Sequence, residues 1–314
     1  MAFQLKRNES VPKGVKRIVR KQMDGALCLL EAEDGRDEAV HDCRKRFKRI
    51  RAVLRLVRDA LGDKVYRREN QCFRDAGRPL TEVRDAKILI EALDKLTEHF
   101  ADQVSGRAFH GVREALLANR KAIRKRVLKE SRALATVAAA VRAARDRIPD
   151  WTMRPKGWQA MGPGLKRVYK RGYRDLAGAS SQPTVENLHE WRKEAKYLWH
   201  QLQILEPIWS AVLEELADQA HELTQLLGDD HDLAVLRNIV TDDPDHYGGE
   251  NTLEALLALI DRRREELQQN AFTLGRRFYV DRPKVFVGRM KGYWKAWRSE
   301  VTGPLGMLPS SIPG

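Results

Sequence analysis

Four sequence blocks recur in the second half of this chain, in the same order and at a nearly constant distance. Gly14-Val-Lys16-Arg17-Ile-Val-Arg20-Lys21 is answered by Gly164-Leu-Lys166-Arg167-Val-Tyr-Lys170-Arg171, 150 residues later. His41-x-x-Arg44-x-x-x-Lys48 is answered by His189-x-x-Arg192-x-x-x-Lys196 at 148 residues. Arg84-Asp85-Ala-Lys-Ile-Leu pairs with His231-Asp232-Leu-Ala-Val-Leu at 147, and Ala115-Leu-Leu-Ala118 with Ala255-Leu-Leu-Ala258 at 140. Each match is short, but collinear matches whose offset drifts only as loops shorten indicate an internal duplication. The unit is too long for a solenoid repeat. It suits two helical bundles related by an approximate two-fold axis.

Apolar residues recur at spacings of three and four along nearly every segment, which predicts helices over roughly 12–31, 36–61, 63–77, 80–98, 103–131, 132–147, 163–177, 184–206, 208–227, 229–241, 251–278 and 282–300. No segment alternates as a strand does. An all-α fold follows, with four main helices in each bundle. The first repeat is expected over 12–148 and the second over 164–300. The Pro-, Gly- and Trp-rich stretch 149–163 is the expected linker, and Thr241 to Glu250, with Pro244, Gly248 and Gly249, the expected second loop. Residues 303–314 read as a disordered tail.

The matched His helices carry a charge pattern that needs explaining. At about 100° per residue, His41, Arg44, Lys48, Arg51 and Arg55 fall within an arc of about 80°. Phe47, Ile50, Val53, Leu54, Val57 and Leu61 occupy the other side. In the second helix His189, Arg192 and Lys196 oppose Leu188, Trp191, Ala195, Leu198, Leu202 and Leu205, with Lys193 beside the stripe. Like charges at such spacing cost a helix a few tenths of a kcal/mol each. The bland alternative is a solvated basic face. Recurrence of the stripe in register, starting from a His each time, points instead to a polyanion. Composition agrees: 58 Lys and Arg against 44 Asp and Glu give a formal net charge of +14, which favours phosphate-rich partners. Lys16, Arg17 and Arg20, their counterparts Lys166, Arg167 and Lys170, the cluster around Arg120 and Arg124, and Arg262-Arg263 are expected to add further walls. A regularly spaced linear polyanion fits such a lined groove. Guanidinium forks and lysine point charges would both serve it. Duplex DNA would want a reading element, and no helix-turn-helix or zinc motif is present.

Catalytic readings are weaker. His41-Asp42 and Asp229-Asp230-His231-Asp232 resemble fragments of metal-dependent phosphohydrolase motifs, but the basic stripes repel a cation. Asp229 and Asp230, after Gly228, are expected to cap a following helix, and Asp85 and Asp232 to pair with basic residues of a neighbouring helix. Glu31-x-Glu33 continues to Gly35 where a Glu-x-Glu-x-Lys triphosphate motif would have lysine. There is no phosphate-binding Gly-rich loop and no nucleophile elbow. Cys28, Cys43 and Cys72 have no metal-ligand spacing and are expected to be reduced thiols in a cytoplasmic protein. No apolar run approaches a membrane span, no secretory leader is visible, and no cofactor is expected.

These residues carry a resemblance. A helical duplication with His-x-x-Arg-x-x-x-Lys in the second helix of each half resembles the CHAD family, the conserved histidine α-helical domain. Arg84-Asp85 and Leu227-Gly228-Asp-Asp-His231-Asp232 resemble its Gly-x-x-Arg-Asp segment, although Leu80 stands where the first copy would have glycine. The resemblance covers residues 12–300. It implies two four-helix bundles around a basic central cavity, binding of inorganic polyphosphate without catalysis, and association with polyphosphate granules. By motif match the binding role falls on His41, Arg44, Lys48, Arg51, His189, Arg192 and Lys196. One departure is evident: Trp199 and Gln203 stand where Arg51 and Arg55 extend the first stripe. Left standing beside this reading are a phosphohydrolase using His231, Asp232 and a metal, and a scaffold for nucleic acid or acidic protein.

Overall fold

The computed structural model describes residues 3–32, 36–130 and 132–300. The expected tail, 303–314, lies outside them, as does Glu33. Twelve α-helices and no strand occur among the described residues: α1 (Val11–Glu31), α2 (Arg36–Leu56), α3 (Arg58–Leu61), α4 (Asp63–Gly77), α5 (Thr81–His99), α6 (His110–Arg124), α7 (Ala133–Asp146), α8 (Trp158–Ser181), α9 (Val185–Leu205), α10 (Ser210–Asp242), α11 (Glu250–Phe278) and α12 (Pro283–Ser299). The all-α expectation holds. Local chemistry sets several ends. The Ser10 side chain accepts from the Lys13 amide at 3.4 Å, and Pro12 occupies the first turn of α1. Thr184 accepts from the Asn187 amide at 3.2 Å at the start of α9. Pro283 opens α12.

Several expected boundaries move, including that of 36–61, which divides into α2 and α3. Residues 208–227 and 229–241 are not separate helices: α10 runs unbroken through Gly228, so Asp229 and Asp230 cap nothing. A mid-helix glycine costs only about 1 kcal/mol, and tertiary contacts at this point outweigh it. Asp229 accepts from Lys95 at 2.9 Å, and the buried Asp230 from Arg264 at 3.0 Å and Gln268 at 2.8 Å. The expected linker is also shorter, because α8 already begins at Trp158 and carries Pro163 inside it. Segment 103–109 forms turns rather than helix, and α6 starts at His110.

The halves match helix for helix at the site. By the sequence offsets α8 is the counterpart of α1, α9 of α2, α10 of α4 plus α5, and the start of α11 of α6. The apolar packing nevertheless cuts across the halves. One core joins Val15, Ile18, Phe47, Leu54 and Phe73 to Leu165, Trp191, Leu198, Leu223 and Met290. A second joins Leu89, Leu93 and Leu116 of the first half to Leu233, Leu236, Leu256 and Ile260 of the second. Helices α5 and α10 pass through both. Val83 ends the first core on α5 and Leu89 starts the second; on α10 the corresponding residues are Leu227 and Leu233. Between these pairs lie Arg84, Asp85 and Lys87, and Asp229, His231 and Asp232, a polar layer between two apolar ones.

The close approach of α8 to α2 depends on Gly164. A Cβ there would lie 2.0 Å from the Leu56 carbonyl oxygen and 2.6 Å from that of Arg55. Both obstacles are backbone and cannot turn aside. Gly164→Ala is expected to cost about 3 kcal/mol in urea unfolding. Gly178→Ala, where nothing lies within 4 Å, is expected to be neutral or to stabilise by about 0.5–1 kcal/mol.

Candidate functional site: a two-fold cationic layer

Helices α2 and α9 pack against each other, with Gln201 Nε2 donating to the Ala52 carbonyl at 3.4 Å. Lys48 and Lys196 occupy equivalent positions and lie close enough to repel each other. Asp85 and Asp232 are likewise equivalent and mutually repulsive. Equivalent residues that meet each other must lie on the pseudo-two-fold axis. The axis therefore passes through the polar layer, with two lysines on one level and two aspartates beside them. Arg44, Arg84 and Arg192 complete the cluster.

Electrostatics follows from this geometry. Burial, then Lys196, Arg44, Arg192 and Arg84, hold the Lys48 ammonium well below its ordinary value. Burial and Arg192 bring Lys196 down to about 8, against the opposing pull of Asp232. Arg44 is steered by the junction between α4 and α5, where it donates to the freed carbonyl of Gly77 at 2.9 Å and to the Thr81 hydroxyl. Its counterpart Arg192 lies against Gly228, the residue equivalent to Thr81, 3.3 Å from where a Cβ would stand. Asp85 lies within electrostatic reach of Arg44 and Lys48, and Asp232 of Lys196. Asp232 also accepts from His231 at 3.2 Å.

Both named histidines sit on the exposed rim, about one turn into their helices. His41 is lowered by partial burial and then by Arg84. His189 is lowered by burial and then by His231, whose ring lies 4.9 Å away. Each is therefore neutral near pH 7 and offers a nitrogen rather than a charge.

Two cavities open from the layer, one on each side of the axis. The first-half cavity lies between α2, α4 and α5, with Arg44, Lys48, Arg51, Arg74 and Arg78 on its wall and no carboxylate. Asp75, behind it, pairs with Arg78 at 3.0 Å. The second-half cavity lies between α5, α9, α10 and α11. Its cations are Arg84, Lys95, Arg192, Lys196 and Arg263, and three carboxylates join them: Glu91, Asp229 and Asp232.

Other expected wall residues are committed elsewhere, and neither cavity is lined by α1 or α8. Arg17 pairs with Glu9 and the Gln4 carbonyl, and Lys16 donates to the Pro149 carbonyl at 2.7 Å. Arg167 pairs with Asp59 at 2.7 Å, while Arg20, Lys166 and Lys170 project into solvent. The two blocks therefore line neither cavity, contrary to expectation: only Arg17 and Arg167 find carboxylates, Lys16 finds a carbonyl, and the rest face solvent. Arg55 leaves the stripe to lie over the Tyr197 ring, 4.0 Å from its centroid, and Arg51 donates to Asn70 at 3.1 Å. Lys193 pairs with Glu190. Arg262 reaches Gln103 and the Phe100 ring, whereas Arg263, paired with Glu266, lines the second cavity. Arg120 and Arg124 lie on α6, away from both cavities.

Arg74, Arg78, Lys95 and His221 were not singled out from the sequence, and Arg84 was quoted only as a motif position. The repeat held a usable signal: at the 147-residue offset Arg74 matches His221 and Arg78 matches Gln225, so all four sites are lining positions of one duplicated wall.

Comparison with known proteins agrees with the architecture. The structure of PptA from Streptomyces chartreusis superposes with a TM-score of 0.61 at 14% identity, covering 87% of this chain and 100% of that one. At this identity the likeness concerns the fold. No curated protein matches the sequence. The CHAD domain profile matches residues 17–241, from α1 to the end of α10, and so takes in both His helices and both aspartate segments. The chain belongs to the CHAD family.

Proposed function

We propose that this protein binds inorganic polyphosphate, without hydrolysing it, along the cationic layer at the pseudo-two-fold axis. The observation that carries the reading is the gathering of Lys48 and Lys196 with Arg44, Arg84 and Arg192 into one cluster, with Asp85 and Asp232 among them. Holding desolvated like charges together costs folding free energy. A polyanion recovers that cost on binding, and its repeating phosphates can continue into the five-cation cavity of the first half. Family membership supports the same ligand. A binding role without turnover is supported by the carboxylates, which serve as partners of basic side chains. Among the described residues, no group of three or more His, Cys, Asp or Glu is gathered to hold a metal. No helix there is long and apolar enough to cross a membrane, and association with polyphosphate granules follows from the ligand.

Counterion release sets the first test. With about five phosphates neutralised at a slope of about 0.7 each, affinity for long-chain polyphosphate should fall about a hundredfold between 50 and 200 mM salt. Titration at matched salt against RNA and DNA should rank polyphosphate first. Salt-independent binding, or sustained phosphate release with Mg²⁺ or Mn²⁺, would sink the proposal.

A second test separates binding from structure. Lys48→Met should weaken polyphosphate at least tenfold, since charged hydrogen bonds contribute about 1.5–3 kcal/mol. It should also raise unfolding stability by about 1 kcal/mol, because a half-buried, repelled charge is removed. A purely structural lysine would give loss of both.

Lys196 gives a pH signature. Its ammonium titrates near 8 in the free protein, and bound phosphate would raise that value. Binding should therefore take up protons around pH 8 and weaken as pH climbs through 8 towards 10. Calorimetry in two buffers of different ionisation heat reads this directly. Lys196→Arg, charged throughout, should flatten the profile.

A further inference from the structure

The two cavities are copies of one another that have diverged. Lys48 and Lys196 are shared, as are Arg44 and Arg192. The rest of the wall is not. Arg51, Arg74 and Arg78 of the first half correspond at offsets of 147–148 to Trp199, His221 and Gln225 of the second. In place of three guanidinium groups the second half has an imidazole and an amide on the wall and an aromatic ring behind the imidazole. The replacements are organised. The His221 ring lies flat on Trp199, with centroids 4.1 Å apart and planes 6° from parallel. Trp199 is backed in turn by His200 at 4.5 Å, and His200 by the edge-on ring of Phe3 at 6.0 Å. His200 is buried, so the stack is anchored in the core with His221 as its outermost member, on the cavity wall.

To the lining α5 and the distal core also contribute Ile88, Ala92, Leu96, Leu233 and Leu267. A linear inorganic chain has no use for such a wall. Binding sites for organic molecules combine an apolar lining with a few convergent polar groups, here Thr224, Gln225 and Asp229. The cavity holds about 210 Å³, less than the roughly 300–1,000 Å³ of a drug-sized site, so a single ring system suits it better than a whole dinucleotide. Its inner end is the shared cationic layer.

We propose that the second-half cavity is a site for the planar base of a nucleoside polyphosphate, with the base against His221 and the phosphates running onto Lys196, Arg192 and Arg84. This rests on the polyphosphate reading for the phosphate end alone. The duplicated pockets then divide the work: the first half takes bare phosphate, the second a chain with an organic head. A neutral imidazole is the better stacking partner, and burial followed by Lys196 lowers His221.

The test compares ATP with tripolyphosphate, ligands of similar charge that differ by the nucleoside. Both are titrated into the full chain by calorimetry at one salt concentration, without divalent metal. Base stacking contributes about 1–3 kcal/mol, so ATP should bind about fivefold or more tightly than tripolyphosphate. In a His221→Arg, Gln225→Arg double variant, which rebuilds the first-half wall, that ratio should fall to about one. Equal or weaker binding of ATP by the unaltered protein overturns the proposal, and so does a ratio that survives in the variant. Long-chain polyphosphate is titrated alongside. If it binds while ATP shows no preference, only the nucleotide site is lost; if neither binds, the polyphosphate reading falls too.

Discussion

The packing of α2 against α9, which brings two basic stripes together, organises this molecule. Lys48 and Lys196 hold equivalent places in the two halves and lie within electrostatic reach of each other across the pseudo-two-fold axis. The apolar faces of α2 and α9 fix the meeting. Phe47, Ile50 and Leu54 on one helix, and Trp191, Leu198 and Leu202 on the other, are buried almost completely. Hydrophobic burial at roughly 25 cal/mol per Å² is large enough to impose a local electrostatic cost of this size. The cationic layer is therefore a preorganised site: the repulsion is present before any ligand arrives, and a polyanion relieves it.

The layer owes its place to the way α5 and α10 thread two separate cores. Each helix buries an apolar stretch in one core, crosses a short charged segment, and buries another stretch in the second. The charged segment is where the helices cannot be dry, and the duplication puts two such segments side by side. Asp85 and Asp232 keep the layer from being cationic throughout, and Arg44 is fixed by a backbone carbonyl that only the α4–α5 break exposes. Geometry here comes from backbone events as much as from side-chain identity.

Much of this was legible beforehand. Helical periodicity is strong in a chain with few breakers, and collinear repeats reveal a duplication because every block restates the others' order. Arg44, Lys48, Arg192 and Lys196 were found because they lie on helix faces whose opposite sides are plainly apolar. Lys16, Arg17 and Arg167 looked similar, yet their partners Pro149, Glu9 and Asp59 come from segments that periodicity cannot place beside them. Gly228 resembled a break because a glycine before two aspartates is a strong local stop signal. What overrides it is the packing of Arg264, Gln268 and Lys95 from other helices, a long-range fact. Arg74 and His221 escaped notice because neither sits in a recognisable stripe; each becomes visible only by comparing one half with the other.

Both cores draw on both halves, and this has a consequence for how the two cavities came to differ. Each core takes residues from both halves, so the arrangement is that of an intimate two-fold dimer whose subunits have been joined end to end. In a dimer of identical chains every substitution is made twice, and a ring that improves one pocket must be accepted in the other. Joining the subunits lifts that constraint. Trp199, His221 and Gln225 can change one wall while Arg51, Arg74 and Arg78 keep the other, and a symmetric vessel acquires a front and a back.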